Sequence, residues 1–244
     1  MTNSDYDIKG FITGRLPPSI TKRFMTYLSV ASHRGADFFE ARKEFFSPLA
    51  HLEASHESRI DSQKGVDKYK LYNEAYDFNT ERGISILTSI LHCIDLPLQQ
   101  AFGSFWKCAN IRIWKTIPNK FDFGPQKIHC DNFPRDPRYI TKVMIYMTPP
   151  SLTRGTTQLL EVLEPPLFPA GPLPTKLYPV DAPVRTTVEG QAGTWILFDN
   201  NLPHIGVAPT TAYRVVCEVT VETMKKEVFD LYPIFGGFGA QYEN

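Results

Sequence analysis

The hydrophobic pattern changes character near residue 100. From Ser19 to about Ala50, apolar side chains such as Phe24, Leu28, Phe38, Phe39, Phe45 and Phe46 recur at mixed helical spacing with charges between them, which predicts helix. The Pro17-Pro18 pair and Ser19 make a helix entry, because a first-turn proline gives up an N–H that has no helical partner anyway. Ala54 to Tyr69 is polar and charged and reads as a surface loop or an exposed helix. A second helix is predicted from about Asn79 to Ile94, with Ile84, Leu87, Ile90 and Leu91 on one side and Pro97 limiting its extension.

Beyond this point the pattern is that of strands. Phe105 to Lys115 interleaves β-branched, aromatic and polar residues. Ile140–Met147, Thr157–Val162, Thr194–Phe198 and Tyr213–Val221 are further candidates, separated by Gly and Pro turns. Short strands of this kind predict an antiparallel sandwich or barrel. The expected organisation is therefore one domain over residues 1–244: a mainly helical part (1–100), a β-core (105–222) and a C-terminal tail (223–244). Glu164 to Pro183 interrupts the core with seven of the chain's 20 prolines. Proline removes backbone donors and fixes φ, so this segment reads as a stiffened loop between core strands, either a substrate wall or a plain surface excursion.

Composition narrows the function classes. The 244 residues carry no net charge, which gives nucleic acid and anionic membranes no electrostatic handle. No stretch is apolar enough to span a bilayer, and MTNSDYDIKG lacks a basic-then-apolar leader pattern. Cys93, Cys108, Cys130 and Cys217 show no CxxC spacing and read as reduced thiols in a cytoplasmic protein.

The candidate chemistry lies in the β region. His129-Cys130-Asp131 is followed by His204 and then Arg214. Residues i and i+2 of a strand point to one face, so His129 and Asp131 can grip one metal while Cys130 turns away. Two imidazoles and one carboxylate are the ligand set of a mononuclear non-haem Fe(II) centre with open positions. A lone HxD is weak, and a core histidine with a surface arginine would explain the remainder. Context favours the metal. His129 and Asp131 precede an Asn-Phe-Pro turn, His204 follows the Gly-led apolar run GTWILFDNNLP, and Arg214 lies within hairpin reach of His204. Asn110 and Arg112, two apart on the preceding strand, share one face and are candidates for cosubstrate or substrate contact or for a solvated face. His33, His51, His56 and His92 show no ligand-like spacing.

KIHCD, KVMIYMTPPSLTRGTTQLLEV and GTWILFDNNLPHIGVAPTTAYRVV together resemble the Fe(II)/2-oxoglutarate-dependent oxygenases, and within them the phytanoyl-CoA-hydroxylase-like branch. The resemblance covers about Asn110 to Val221. It implies a mainly β fold with flanking helices, built on a double-stranded β-helix (jelly-roll, cupin-like) core. It implies Fe(II) on His129, Asp131 and His204, 2-oxoglutarate anchored by Arg214, and O2 as oxidant. Thr157, in the RGTTQ turn, would donate a hydrogen bond to the same cosubstrate. The implied reaction hydroxylates an unactivated C–H bond of a small molecule and releases succinate and CO2. Two departures bear on subfamily: Leu160-Glu161-Val162-Leu163-Glu164 replaces a Pro-Gly-Ser-His segment, and Val216 stands where some branches have Ser or Thr. Asp131 disfavours halogenation, since related halogenases replace that carboxylate with a small residue.

Two other readings stay open: an iron-dependent oxidase, desaturase or cyclase on the same fold, and a non-catalytic cupin-like binding module. The aromatic tail Phe229–Phe235 is available to cover the core, to join a homodimer interface or to line the pocket.

Overall fold

Strands that are apolar on both faces need a layer on each side, and that requirement organises this chain. The computed structural model describes residues 10–31, 73–76, 78, 80–102, 106–118, 128–130, 139–161, 171–172, 183–199 and 202–223. In chain order the elements are β1 (Phe11–Arg15), α1 (Pro18–Leu28), β2 (Asn73–Ala75), α2 (Glu81–Phe102) and β3 (Trp106–Thr116). There follow β4 (His129–Cys130), β5 (Tyr139–Tyr146), β6 (Thr156–Leu160) and β7 (Gly171–Pro172). The last four are β8 (Val184–Thr187), β9 (Thr194–Asp199), β10 (His204–Val207) and β11 (Arg214–Thr223). The larger sheet has the order β1-β9-β5-β11-β3-β2, and the smaller β7-β4-β10-β6-β8. Every pairing is antiparallel. The architecture is the expected one: a double-stranded β-helix with flanking helices.

Alternation along each strand of the larger sheet separates two cores. Ile111 and Ile113 of β3, Val143 and Ile145 of β5, Trp195 and Leu197 of β9, and Val215, Cys217 and Val219 of β11 pack outward with the helices. Trp114, Tyr146, Ile196, Phe198 and Val216 point the other way and meet Leu159 of β6 between the sheets.

The helices cover the outer face. Tyr27 of α1 hydrogen-bonds Thr80 at 2.6 Å, and the Thr80 hydroxyl accepts the Gly83 N–H at 3.1 Å, capping α2. The helix runs through Pro97 to Phe102, beyond the expected limit near Ile94. One missing N–H and a ring clash cost about 3 kcal/mol. Burial of Ile86, Leu87, Ile90, Leu91, Ile94 and Leu98 against the sheet exceeds that. Asp95 further fastens the helix by accepting Trp106 Nε1–H at 3.0 Å.

Among the described residues of the first hundred, α1 and α2 are accompanied by two short strands, β1 and β2, which join the larger sheet at its two edges. Gly14 makes the β1 position possible: a Cβ there would lie 2.2 Å from the Trp195 ring. The predicted helix from Ser19 is seen as α1, and its continuation past residue 31 lies outside the described residues, as do Ala54–Tyr69 and the tail from 224. Within the Pro-rich segment, Gly171–Pro172 forms an edge strand on β4, while the residues on either side of it lie outside the described set. An edge is where a strand proline is tolerated. No helix among the described residues is long and apolar enough to cross a membrane.

Candidate active site

The two histidines of the predicted triad meet in the smaller sheet. His204 opens β10 and stands in register directly opposite His129 on β4. On its other side it faces Leu159 of β6. Directly opposed residues on adjacent strands are the closest side-chain neighbours a sheet provides. The His129 side chain, Asp131 and the Asn110 side chain lie outside the described residues. Among those described, no cluster of three His, Cys, Asp or Glu side chains forms.

His204 is buried, and its Nδ1 lies 2.9 Å from the Leu202 carbonyl. A carbonyl can only accept, so Nδ1 donates to it, and in a neutral imidazole the lone pair then falls on Nε2. This is the tautomer a metal-ligating imidazole adopts when its other nitrogen is held by a backbone carbonyl. The Phe198 ring packs edge-on against the imidazole at 4.9 Å and fixes its plane. The donor chemistry of the position therefore fits a divalent metal ligand.

A polar cluster lies further along the same inter-sheet space. Arg214, at the start of β11, donates from one terminal nitrogen to the Val207 carbonyl at 3.1 Å and from the other to Thr116 Oγ1 at 3.4 Å. Val207 is the last residue of β10, so the guanidinium is docked on the far end of the strand that carries His204. The buried Tyr146 hydroxyl donates to Thr157 Oγ1 at 2.6 Å. Burial pushes the Tyr146 phenol up, and the nearby Arg214 charge partly opposes the shift. The neighbouring hydroxyl, Thr156, is engaged by the Val188 carbonyl. The half-buried Arg214 and the buried Thr157, backed by the Tyr146 hydroxyl, form a corner with donors suited to a carboxylate.

Arg112 takes a different place from Arg214. It pairs with Glu218, which stands directly opposite on β11, with Nε 2.8 Å from Oε1. Its guanidinium also lies over the Trp114 ring, 5.7 Å from the centroid. Sequence reading overlooked Tyr146 and Glu218. The available signal was alternation: Tyr146 shares the inward parity of Met144, and Glu218 that of Arg214 and Val216, on strands whose opposite faces are mostly apolar.

No protein-family model matches the chain, and no curated protein matches it in sequence. Solved structures do match. HygX from Streptomyces hygroscopicus, with nickel, 2-oxoglutarate and hygromycin B bound, superposes with a TM-score of 0.60 at 12% identity, covering 91% of this chain and 85% of that one. SnoK, a non-haem α-ketoglutarate-dependent carbocyclase from nogalamycin biosynthesis, gives 0.58 at 13% identity, covering 95% and 89%. The chain has the fold of these 2-oxoglutarate-dependent enzymes. The epimerase SnoN, in complex with Fe3+, α-ketoglutarate and nogalamycin RO, shares the same fold with a TM-score of 0.54 at 14% identity, covering 95% and 89%.

Proposed function

We propose that the protein is a non-haem Fe(II)/2-oxoglutarate-dependent oxygenase acting on a small molecule. The observation that carries this reading is the arrangement along β10. His204 stands in register with His129, with Nδ1 committed to the Leu202 carbonyl, and the other end of the same strand holds the Arg214 guanidinium. His129, Asp131 and His204 would hold the metal, leaving coordination positions open. Bound there, iron would supply activation of O2 for oxidation of a substrate C–H bond, with 2-oxoglutarate converted to succinate and CO2.

The protein's part is binding and exclusion. Arg214 offers the distal carboxylate of the cosubstrate a planar fork that stays charged at any working pH. Thr157, whose Oγ1 accepts the Tyr146 hydroxyl proton, has its own hydroxyl proton left to donate beside it. Leu159, Phe198, Val216 and Trp114 make the surrounding walls apolar and keep water away from the reacting centre. The first subject for substrate search is a compact metabolite or natural-product intermediate. HygX and SnoN are seen with hygromycin B and nogalamycin RO, which fits a small-molecule substrate here. Cys93 and Cys217 form no disulfide, in keeping with a reducing cytoplasm.

SnoK and SnoN favour a second reading on the same machinery, in which oxidation ends in ring closure or epimerisation rather than oxygen transfer. Product analysis with labelled O2 separates the two. The primary test is anaerobic titration of Fe(II)-loaded protein with 2-oxoglutarate, following the visible metal-to-ligand charge-transfer band. A saturable band that disappears in His129→Ala is expected. A folded, iron-bound protein that develops no band overturns the proposal.

A further inference from the structure

The Arg112–Glu218 pair is out of place as a structural device. Glu218 is nearly fully buried and the Arg112 side chain only 12% exposed, with the apolar Trp114 and Val216 beside them in the inter-sheet space. Removing two charges from water costs several kcal/mol per ion, so hydrophobic residues of similar volume often serve stability as well or better. A buried pair kept at such a position therefore calls for a role other than stability.

Its position follows from two hydrogen bonds that cross between the sheets. Tyr146 to Thr157 sets β5 over β6, and Arg214 to Val207 sets β11 over β10. The sheets run β5-β11-β3 and β6-β10-β4 in the same sense. One strand further along, β3 therefore lies over β4, and Arg112 stands on the wall across from the strand of His129. Arg112 is the more exposed partner, so its guanidinium is the group presented, with Glu218 behind it and the Trp114 ring beside it. A cation held on two sides loses little freedom on binding an anion, and guanidinium geometry matches carboxylate.

We propose that Arg112, positioned by Glu218, is a second carboxylate-recognising point in the chamber, distinct from Arg214 and facing the metal-bearing strand. The inference rests on the functional reading of that strand. The carboxylate belongs either to an acidic substrate or to the metal-proximal end of the cosubstrate. Glu218 is a positioning residue: it fixes the guanidinium and touches no ligand itself.

The test uses the full-length protein labelled with [15N]arginine, with the Arg112 Nε–H signal assigned through Arg112→Lys. Acetate, succinate and 2-oxoglutarate are titrated in turn into metal-free protein and into protein loaded with Zn(II). Saturable movement of the Arg112 signal by all three, with or without metal, places a substrate-type carboxylate at the site. Movement by 2-oxoglutarate alone, and only with metal, assigns the site to the cosubstrate. Glu218→Gln should weaken whichever response is seen about tenfold, the loss expected when a charged hydrogen-bond anchor no longer holds its partner in place. The double variant Arg112→Met/Glu218→Met guards against misfolding, because an apolar pair of similar volume should keep the thermal midpoint. Its carboxylate binding, read by calorimetry because the Arg112 signal is gone, should be lost. The Fe(II) charge-transfer band then forms at the wild-type 2-oxoglutarate concentration if the site takes a substrate carboxylate, and needs more 2-oxoglutarate if it takes the cosubstrate. An Arg112 signal indifferent to all three acids in a folded protein overturns this inference. Loss of the charge-transfer band in the wild type would instead strike at the functional reading beneath it.

Discussion

The two faces of the larger sheet are made from the same strands and do different work. Toward the helices, β11 presents Val215, Cys217, Val219 and Val221, all with essentially no exposure. Toward the smaller sheet, the alternate residues are Arg214, Val216, Glu218 and Thr220. β3 repeats the contrast, with Ile111 and Ile113 outside and Arg112 and Trp114 inside. The outer face is continuous hydrocarbon and supplies stability. Under the proposed function, the inner face accepts the cost of buried polar groups because they bind. One ten-residue strand thus belongs to two regimes at once, and a register slip by one residue would exchange them.

Substitutions can separate the regimes. The largest effect is expected from His204→Ala on the inner side, which should abolish turnover and metal retention while leaving the fold intact. Iron content after gel filtration, beside circular dichroism, checks it, and iron retained at the wild-type level would remove His204 from the ligand set. On the outer side, Ile145→Ala empties a fully buried position and should cost about 2–5 kcal/mol in denaturant unfolding. The 2-oxoglutarate affinity of the surviving folded protein should not change. Arg214→Ala should behave in the opposite way. It loses a charge-assisted contact of about 1.5–3 kcal/mol, weakening 2-oxoglutarate roughly 10- to 100-fold by calorimetry with a small change in melting temperature.

The smallest effect concerns Tyr146. Tyr146→Phe removes one buried hydrogen bond, about 0.5–1.5 kcal/mol. Burial holds the folded phenol above its ordinary value of 10.0. Its contribution to stability is whole below that value and is lost as pH climbs from there toward the raised folded value. The gap in denaturation midpoint between wild type and Tyr146→Phe should therefore be larger at pH 8 than at pH 11. A gap that widens on the alkaline side would mean the phenol is not desolvated.

Much of this was legible in the sequence, and the exceptions have physical causes. Strands such as Ile140–Met147 and Tyr213–Val221 announce themselves through β-branched runs, and the structure places them within a residue or two of their expected ends. β1 stayed hidden because Phe11–Arg15 contains a glycine and little apolar content. Gly14 is there to make room for Trp195, a reason that exists only in three dimensions. β10 is short and interrupted by Gly206, so His204 reads as a loop residue until its pairing with His129 and Leu159 is seen. Pro97 reads as a stop, yet the apolar side of α2 carries the helix past it. Motif reading singled out His204 and Arg214 as candidates because their chemistry is rare and ordered along the chain. It could not find Glu218, since a lone acid on a strand looks like a solvated face until its partner across the ladder is known.

The Thr153 carbonyl receives the Thr210 and Thr211 amides at 2.8 and 3.1 Å, and both hydroxyls as well. This knot ties the bend between β10 and β11 to the turn after β5, where Gly155 adopts a φ of 83°. His204 and Arg214 sit on opposite sides of that bend, with three strand steps, roughly 10 Å, between His204 and the carbonyl that docks the guanidinium. Fastened in this way, they would act, under the proposed function, as the jaws of a caliper that cannot slide. Under the proposed function, a keto-diacid one methylene shorter or longer than 2-oxoglutarate would meet both jaws at the wrong spacing and be rejected by length alone.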